Sequence, residues 1–217
     1  MAKVLSLNVG LPRTVNFHGQ AVTTGIFKEP IKGRIKLRRL NLDGDRQADL
    51  TVHGGPDKAV YAYPAEHYDY WKKRLPNMKL PWGMFGENFT TEGLLEDKVN
   101  IGDVFRVGSS ELVATQPRMP CYKLGVKFGR MDIVKQFMES KLPGIYFRVL
   151  KEGEVGAGDV IEPISRDANN VTVKDIVRLV SRESDISTLR RAIHVEALAE
   201  GWRQEFLDQL AEHDEMS

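Results

Sequence analysis

Val99-Asn-Ile-Gly-Asp-Val-Phe-Arg-Val107, Glu111-Leu-Val-Ala-Thr-Gln116 and Pro117-Arg-Met-Pro-Cys-Tyr-Lys-Leu-Gly125 follow one another almost without a break. The first two blocks read as short apolar strands parted by a glycine turn, and the third interrupts the pattern. Pro117 and Pro120 lack backbone donors and cannot both sit inside a central strand, so a rigid loop is expected to leave the strand Glu111–Gln116. Gly102-Asp103 introduces the first strand. The same chemistry recurs in Val155-Gly-Ala-Gly-Asp-Val160, so one turn is expected twice.

Further strands are expected at Lys3–Val9, Gly33–Leu40, Ala59–Tyr63, Ile145–Leu150 and Asp159–Pro163, a spacing that suits a barrel. Two helices interrupt them. One runs over Ala65–Leu75, with His67, Tyr70, Trp71 and Arg74 on one side. The other covers Arg130–Glu139, where Ile133, Val134, Phe137 and Met138 keep helical spacing. After Arg166-Asp-Ala-Asn-Asn170 the pattern changes. Thr172-Val-Lys-Asp175 is a capping box ahead of the stripe Val173, Ile176, Val177 and Val180, and shorter helices follow near Ser187–His194 and Trp202–Leu210. The class is therefore mainly β with peripheral helices, followed by a small three-helix unit.

The 217 residues, 41% of them hydrophobic, suffice for one main domain and a small appendage. A net charge of +1 gives no global attraction to nucleic acid or membrane. One cysteine permits no internal disulfide and no iron–sulfur cluster. The opening residues lack the apolar core of a signal peptide, so the cytoplasm is the expected compartment. Neither a dinucleotide-binding glycine fingerprint nor a P-loop is found.

Three runs could carry chemistry. Cys121 lies in a segment, Thr115 to Met131, holding Arg118, Lys123, Lys127 and Arg130 but no carboxylate, a field that favours thiolate and attracts anions. Ligand, nucleophile and core filling all remain open for it on these grounds. In the second run, His53-Gly-Gly55 precedes Asp57-Lys58; two glycines let backbone approach a ligand, and Lys58 beside exposed amides could hold a phosphate or be a solvated turn residue. The third, Phe85-Gly-Glu-Asn-Phe-Thr-Thr-Glu-Gly93, contains Asn88, whose amide both donates and accepts. His67 lacks the second histidine of a zinc helix and is read as structural. Arg34, Lys36 and Arg38 share one solvated strand face, and Asp43-Gly-Asp45 is not a calcium loop because no glutamate closes it.

Taken together, His53-Gly-Gly-Pro-Asp-Lys-Ala-Val60, Gly86-Glu-Asn-Phe89, Val99-Asn-Ile-Gly-Asp103 and Pro117–Gly125 resemble the motifs of the MOSC domains, in their order. That family is named for the C-terminal domain of molybdenum cofactor sulfurase. The three C-terminal helices resemble the extension of its bacterial YiiM-type branch. The resemblance implies a twisted MOSC β-barrel over residues 1–166, with a motif core of about 29–163, and a helical domain over 167–217.

It also implies a molybdenum cofactor, with Cys121 supplying a thiolate to the metal and Arg118, Lys58, Asn88, Gly54 and Gly55 contacting the pterin or its phosphate. The implied reaction is reduction of N-hydroxylated compounds such as hydroxylaminopurine-type bases, hydroxylamines and amidoximes. Asp57 and then His53 are the candidates for proton delivery, the imidazole because it titrates near neutrality. Electrons would come from a separate flavin-type reductase, which the basic face near Lys123, Lys127 and Arg130 could attract. Two other readings stay open: a non-catalytic carrier or sensor of the cofactor, and a persulfide carrier acting through Cys121. Dimerisation is not decided by the sequence.

Overall fold

A computed structural model describes residues 1–48, 54–183 and 185–215. In chain order its elements are β1 (Ala2–Val9), β2 (Arg13–Phe17), β3 (Gln20–Thr24), β4 (Glu29–Ile31), β5 (Arg34–Leu37), β6 (Val60–Pro64), α1 (Ala65–Arg74), β7 (Phe89–Glu92), β8 (Val104–Val107) and β9 (Ser110–Pro117). These are followed by α2 (Tyr122–Phe128), α3 (Asp132–Ser140), β10 (Ile145–Lys151), β11 (Gly153–Gly156), β12 (Val160–Ser165), α4 (Val173–Val180), α5 (Ile186–Ala192) and α6 (Glu200–Glu215). Among the described residues, seven strands in the order β12-β8-β9-β10-β6-β7-β1 close into a barrel through the pairing of β1 with β12. Only β6 and β7 run parallel; the other neighbours are antiparallel. The expected mainly-β barrel with helices is therefore what forms.

β6 shows why the site lies outside the barrel wall. Val60-Tyr-Ala-Tyr-Pro64 is buried at every position, which a strand with one wet face would not be. Its side chains alternate between two cores. Val60 and Ala62 enter the barrel interior with Val4, Leu112, Ala114 and Phe147. Tyr61 and Tyr63 point outward into an aromatic layer with Tyr68 and Trp71 of α1, Phe85, Phe128 and Phe137. Within that layer Tyr63 stacks on Phe85 at 4.5 Å between ring centroids. α1 buries His67, Tyr68 and Trp71 rather than the expected side with Tyr70 and Arg74. His67 bonds to buried Glu96 at 2.8 Å, which supports its structural reading.

Several local expectations need correction. The run Val99–Val107 forms a strand only from Val104, because Asp103 accepts the Asn100 amide at 2.9 Å and turns the chain. Asp159 accepts the Gly156 amide at 2.8 Å in the same way, and Gly102 and Gly158 take φ of +93° and +92°. The repeated turn is thus real, and it shortens the strand. Gly33–Leu40 yields only Arg34–Leu37, which pairs with β11 beside the barrel. Phe85–Gly93 is not all turn, for Phe89–Glu92 is the strand parallel to β6. The β2–β3 hairpin and α2 were not anticipated, although alternation around His18-Gly19 signals the hairpin.

The helical unit shares the barrel's core. The Thr172–Asp175 capping box forms as expected, and α4 buries Val173, Ile176 and Leu179. The amide of Ile101 bonds to the Val171 carbonyl, and that of Val173 to the Val99 carbonyl, both at 2.9 Å. Val173, Ile176, Leu189, Val195 and Phe206 join the same apolar cluster as Val4 and Ile101.

Candidate functional site

Arg118–Cys121 leaves the end of β9 as a loop, as expected, and Cys121 becomes the N-cap residue of α2. Cys121 borders two hollows. The inner one, about 100 Å³, is lined by Lys28, Arg46, Lys58, Arg118 and Lys123 together with Tyr61 and Tyr146. Its described lining therefore carries five cations and no carboxylate. The outer one is a groove of about 630 Å³ that runs past Gly54, Gly55, Asp57 and Lys58 to the start of α6, where Glu200, Trp202 and Glu205 form the far wall. Lys58, Met119, Cys121 and Tyr146 belong to both hollows.

Burial works against the charge on Arg118, which is only 6% exposed, but Tyr61, Tyr146 and Cys121 outweigh it and hold the guanidinium above its ordinary pKa. Its Nη1 donates to the Phe85 carbonyl at 2.9 Å, and the guanidinium lies over the Tyr61 and Phe137 rings at 5.0 and 5.5 Å. Arg118 is a fixed cation at the pocket wall. Lys28 pairs with buried Asp45. Burial nonetheless pushes the Lys28 ammonium below its ordinary value, with Asp45 only partly restoring it.

This shift has a measurable sign. Between its lowered folded value and 10.5 the folded chain has released the Lys28 proton that the unfolded chain still holds, so stability from this group rises with pH over that window. Buried Tyr61, Tyr63 and Tyr68, pushed well above 10 by desolvation, act in the opposite sense as pH nears 10, because there only the unfolded chain begins to ionise them, so the Lys28 contribution is read as the difference between wild type and variant. In thermal melts, Lys28→Met is expected to gain less stability than the wild type as pH rises towards 10.5. Identical slopes would refute it.

The expected site residues divide into three groups. Cys121, Arg118 and Lys58 meet at the inner pocket. Gly54, Gly55 and Asp57 line the outer groove; Gly55 has φ +96° with open space where a Cβ would stand, so a ligand can approach its backbone. Asp57 accepts from Arg148 Nε at 2.7 Å through Oδ1. Asn88 lines the inner pocket, but its amide is already engaged: Oδ1 accepts from the Tyr61 amide at 3.1 Å, and Nδ2 donates to Asp45 at 2.9 Å and to the Asn8 carbonyl. These bonds make it a tie between β6 and β1 at the pocket wall. His53 lies outside the described residues.

The description of the MOSC domain matches residues 49–162, and that of the YiiM-like 3-alpha helix domain matches residues 171–213. The chain belongs to the MOSC family. It is 43% identical over 205 residues to the uncharacterized protein YflK of Bacillus subtilis, covering 94% of this chain and 92% of that one. Protein YiiM of Escherichia coli is 36% identical over 182 residues, 82% of this chain and 81% of that one. A Gibberella moniliformis protein named as a reductase is 30% identical over 165 residues, 75% of this chain but 29% of that one. The crystal structure of YiiM from Geobacillus stearothermophilus superposes with a TM-score of 0.80 at 31% identity, covering 97% of this chain and all of that one.

Sequence reasoning missed Lys28 and Arg46, which reach this MOSC pocket from the segments before β6, and also Gln116 and Trp202. Of the expected basic face near Lys123, Lys127 and Arg130, only Arg130 is exposed. Lys123 is 8% exposed and lines the inner pocket. The half-buried Lys127 ammonium lies 5.1 Å from the Phe27 ring centroid, and Arg130 pairs with Asp132. No helix of the described residues is long and apolar enough to cross a membrane.

Proposed function

We propose that the chain is a molybdenum cofactor-dependent reductase of N-hydroxylated compounds, hydroxylaminopurine-type bases, hydroxylamines or amidoximes. The observation that carries the reading is the position of Cys121, between a cation-lined pocket and a groove open to substrate. A soft thiolate beside fixed cations fits a soft metal borne on an anionic, phosphate-carrying pterin. Among the described residues no three His, Cys, Asp or Glu side chains are grouped to hold a metal, so ligands besides Cys121 would come from the pterin. When bound, that cofactor supplies a two-electron centre able to take oxygen from an N–OH group.

The protein's own residues do the rest. Cys121 anchors the metal, while Arg118, Lys58, Arg46 and Lys123 neutralise the anion; Lys28 is already committed to Asp45. The Gly54-Gly55 backbone offers amides at the groove wall. Asp57, steadied by Arg148, is the candidate to deliver protons. The balance is R–NHOH + 2e⁻ + 2H⁺ → R–NH₂ + H₂O. The chain shows no nicotinamide or flavin motif, so the electrons require a separate flavin-type reductase.

Protein purified from cells with and without molybdopterin synthesis tests this directly. Molybdenum is expected only in the first preparation, and that preparation alone is expected to reduce a hydroxylamine with viologen electrons. Turnover on NADPH by the purified chain would contradict the electron supply, and metal without turnover would favour a carrier. Arg118→Ala is expected to lower molybdenum retention by about 10–100-fold, the scale of lost hydrogen bonds to a charged group. Unchanged occupancy in the folded variant would remove Arg118 from the site.

A further inference from the structure

Gln116 stands where the sequence pattern does not place it. Leu112 and Ala114 of β9 face the barrel interior, so strict alternation would send Gln116 inside as well. The β9–β10 pairing shifts between Gln116↔Tyr146 and Ala114↔Phe147, a bulge at Thr115. The shift places Gln116 directly opposite Tyr146, on the outer face, and both residues line the groove beside Cys121.

There the amide is 4% exposed and only half satisfied. The Trp202 indole Nε1 donates to Gln116 Oε1 at 2.9 Å. Indole has a donor and no acceptor, so the oxygen must face Trp202 and the amide cannot flip. Gln116 Nε2 is left buried with no acceptor among the described residues. A buried donor without a partner is costly, and such groups in native structures call for an explanation. Glu205 and Glu200, the latter paired with Arg203, flank Trp202 on the same wall, so this side is less positive than the inner pocket.

We propose that the outer groove is the substrate subsite, that Gln116 Nε2 donates to an acceptor atom of an uncharged planar ring carrying the N-hydroxylated group, and that Trp202 is the positioning residue that keeps the donor available. The inference rests on the reductase reading and adds to it the residues that select the substrate. It gives the helical unit a part in specificity, since Trp202 belongs to α6. The two glutamates disfavour phosphorylated forms of the same ring.

The test measures kinetics and binding separately on the loaded protein. With 6-hydroxylaminopurine as substrate, Gln116→Met is expected to raise KM about tenfold, the effect of one hydrogen bond, with kcat nearly unchanged. The rise in KM should be larger for the purine than for hydroxylamine, which has no ring. Calorimetric titration with adenine, which needs no turnover, should show the same tenfold loss of affinity in Gln116→Met, and AMP should bind the wild type more weakly than adenine. Trp202→Phe keeps a ring but loses the indole donor; it should raise KM for the purine, and adding it to Gln116→Met should have no further effect, as expected of residues acting as one unit. The subsite is overturned if adenine fails to bind, if Gln116→Met changes neither KM nor adenine affinity, or if AMP binds as tightly as adenine. Fully additive effects of the two substitutions would overturn the positioning role. Loss of adenine binding in Gln116→Met without any N–OH turnover by the wild type would refute the reductase reading and keep the subsite; the reverse pattern would keep the reductase and remove Gln116.

Discussion

Cys121→Ser is expected to give a folded protein whose reductase activity is at background. Cys121 holds the N-cap position of α2 in an extended conformation, a position where serine is among the preferred residues, so the fold should not suffer. The thiolate has no such substitute, because a hydroxyl is hard, weakly acidic and a poor ligand for a soft metal. The loss should exceed the ~10–100-fold typical of removing a partner in the outer shell of a metal site. Circular dichroism and thermal melts check the fold, while molybdenum content and viologen-driven turnover check the site. A folded serine variant with normal turnover would end the ligand role of Cys121 and with it the proposed chemistry.

Truncation at Asp167 is expected to give an insoluble barrel. The sequence left two roles for the helices, a dock for the reductase or a cap over the barrel, and the packing favours the cap. Deletion uncovers the barrel surface that meets Val173, Ile176, Val195 and Phe206, and it strips the Ile101 amide and Val99 carbonyl of their partners in Val171 and Val173. Truncating one buried phenylalanine to alanine costs ~3–5 kcal/mol, against a total stability of ~5–15 kcal/mol for a typical domain. Removing the whole apolar face is a larger loss. Solubility and a cooperative melt of residues 1–166 are the measurements, and a soluble, cooperatively melting truncation would restore the dock reading.

Much of the architecture was legible along the chain. The strands around Ala59, Glu111 and Ile145, the Gly-Asp turns, the proline-bounded loop and the Thr172 capping box depend on interactions between residues close in sequence, so local chemistry reveals them. Where the reading failed, a distant partner intervened. Val99–Asp103 looks like a strand but spends backbone groups on Val171 and Val173, and the ties of the Asn88 amide to Tyr61, Asn8 and Asp45 appear only in the folded chain.

For the site, the composition of Pro117–Gly125 was enough to single out Cys121 and Arg118, since one thiol among cations and two prolines is unusual at any fold. Which cations meet that thiol was a question of three dimensions. Lys28 and Arg46 arrive from elsewhere in the chain, while Lys127 and Arg130, closer in sequence, are not among the residues that line the pocket. Gln116 depends on a bulge in the pairing of β9 with β10 and on an indole from a helix some 86 residues downstream. The period of a strand is a local property, but a slip in register and the satisfaction of a buried amide arise between elements, so only the folded chain could decide them.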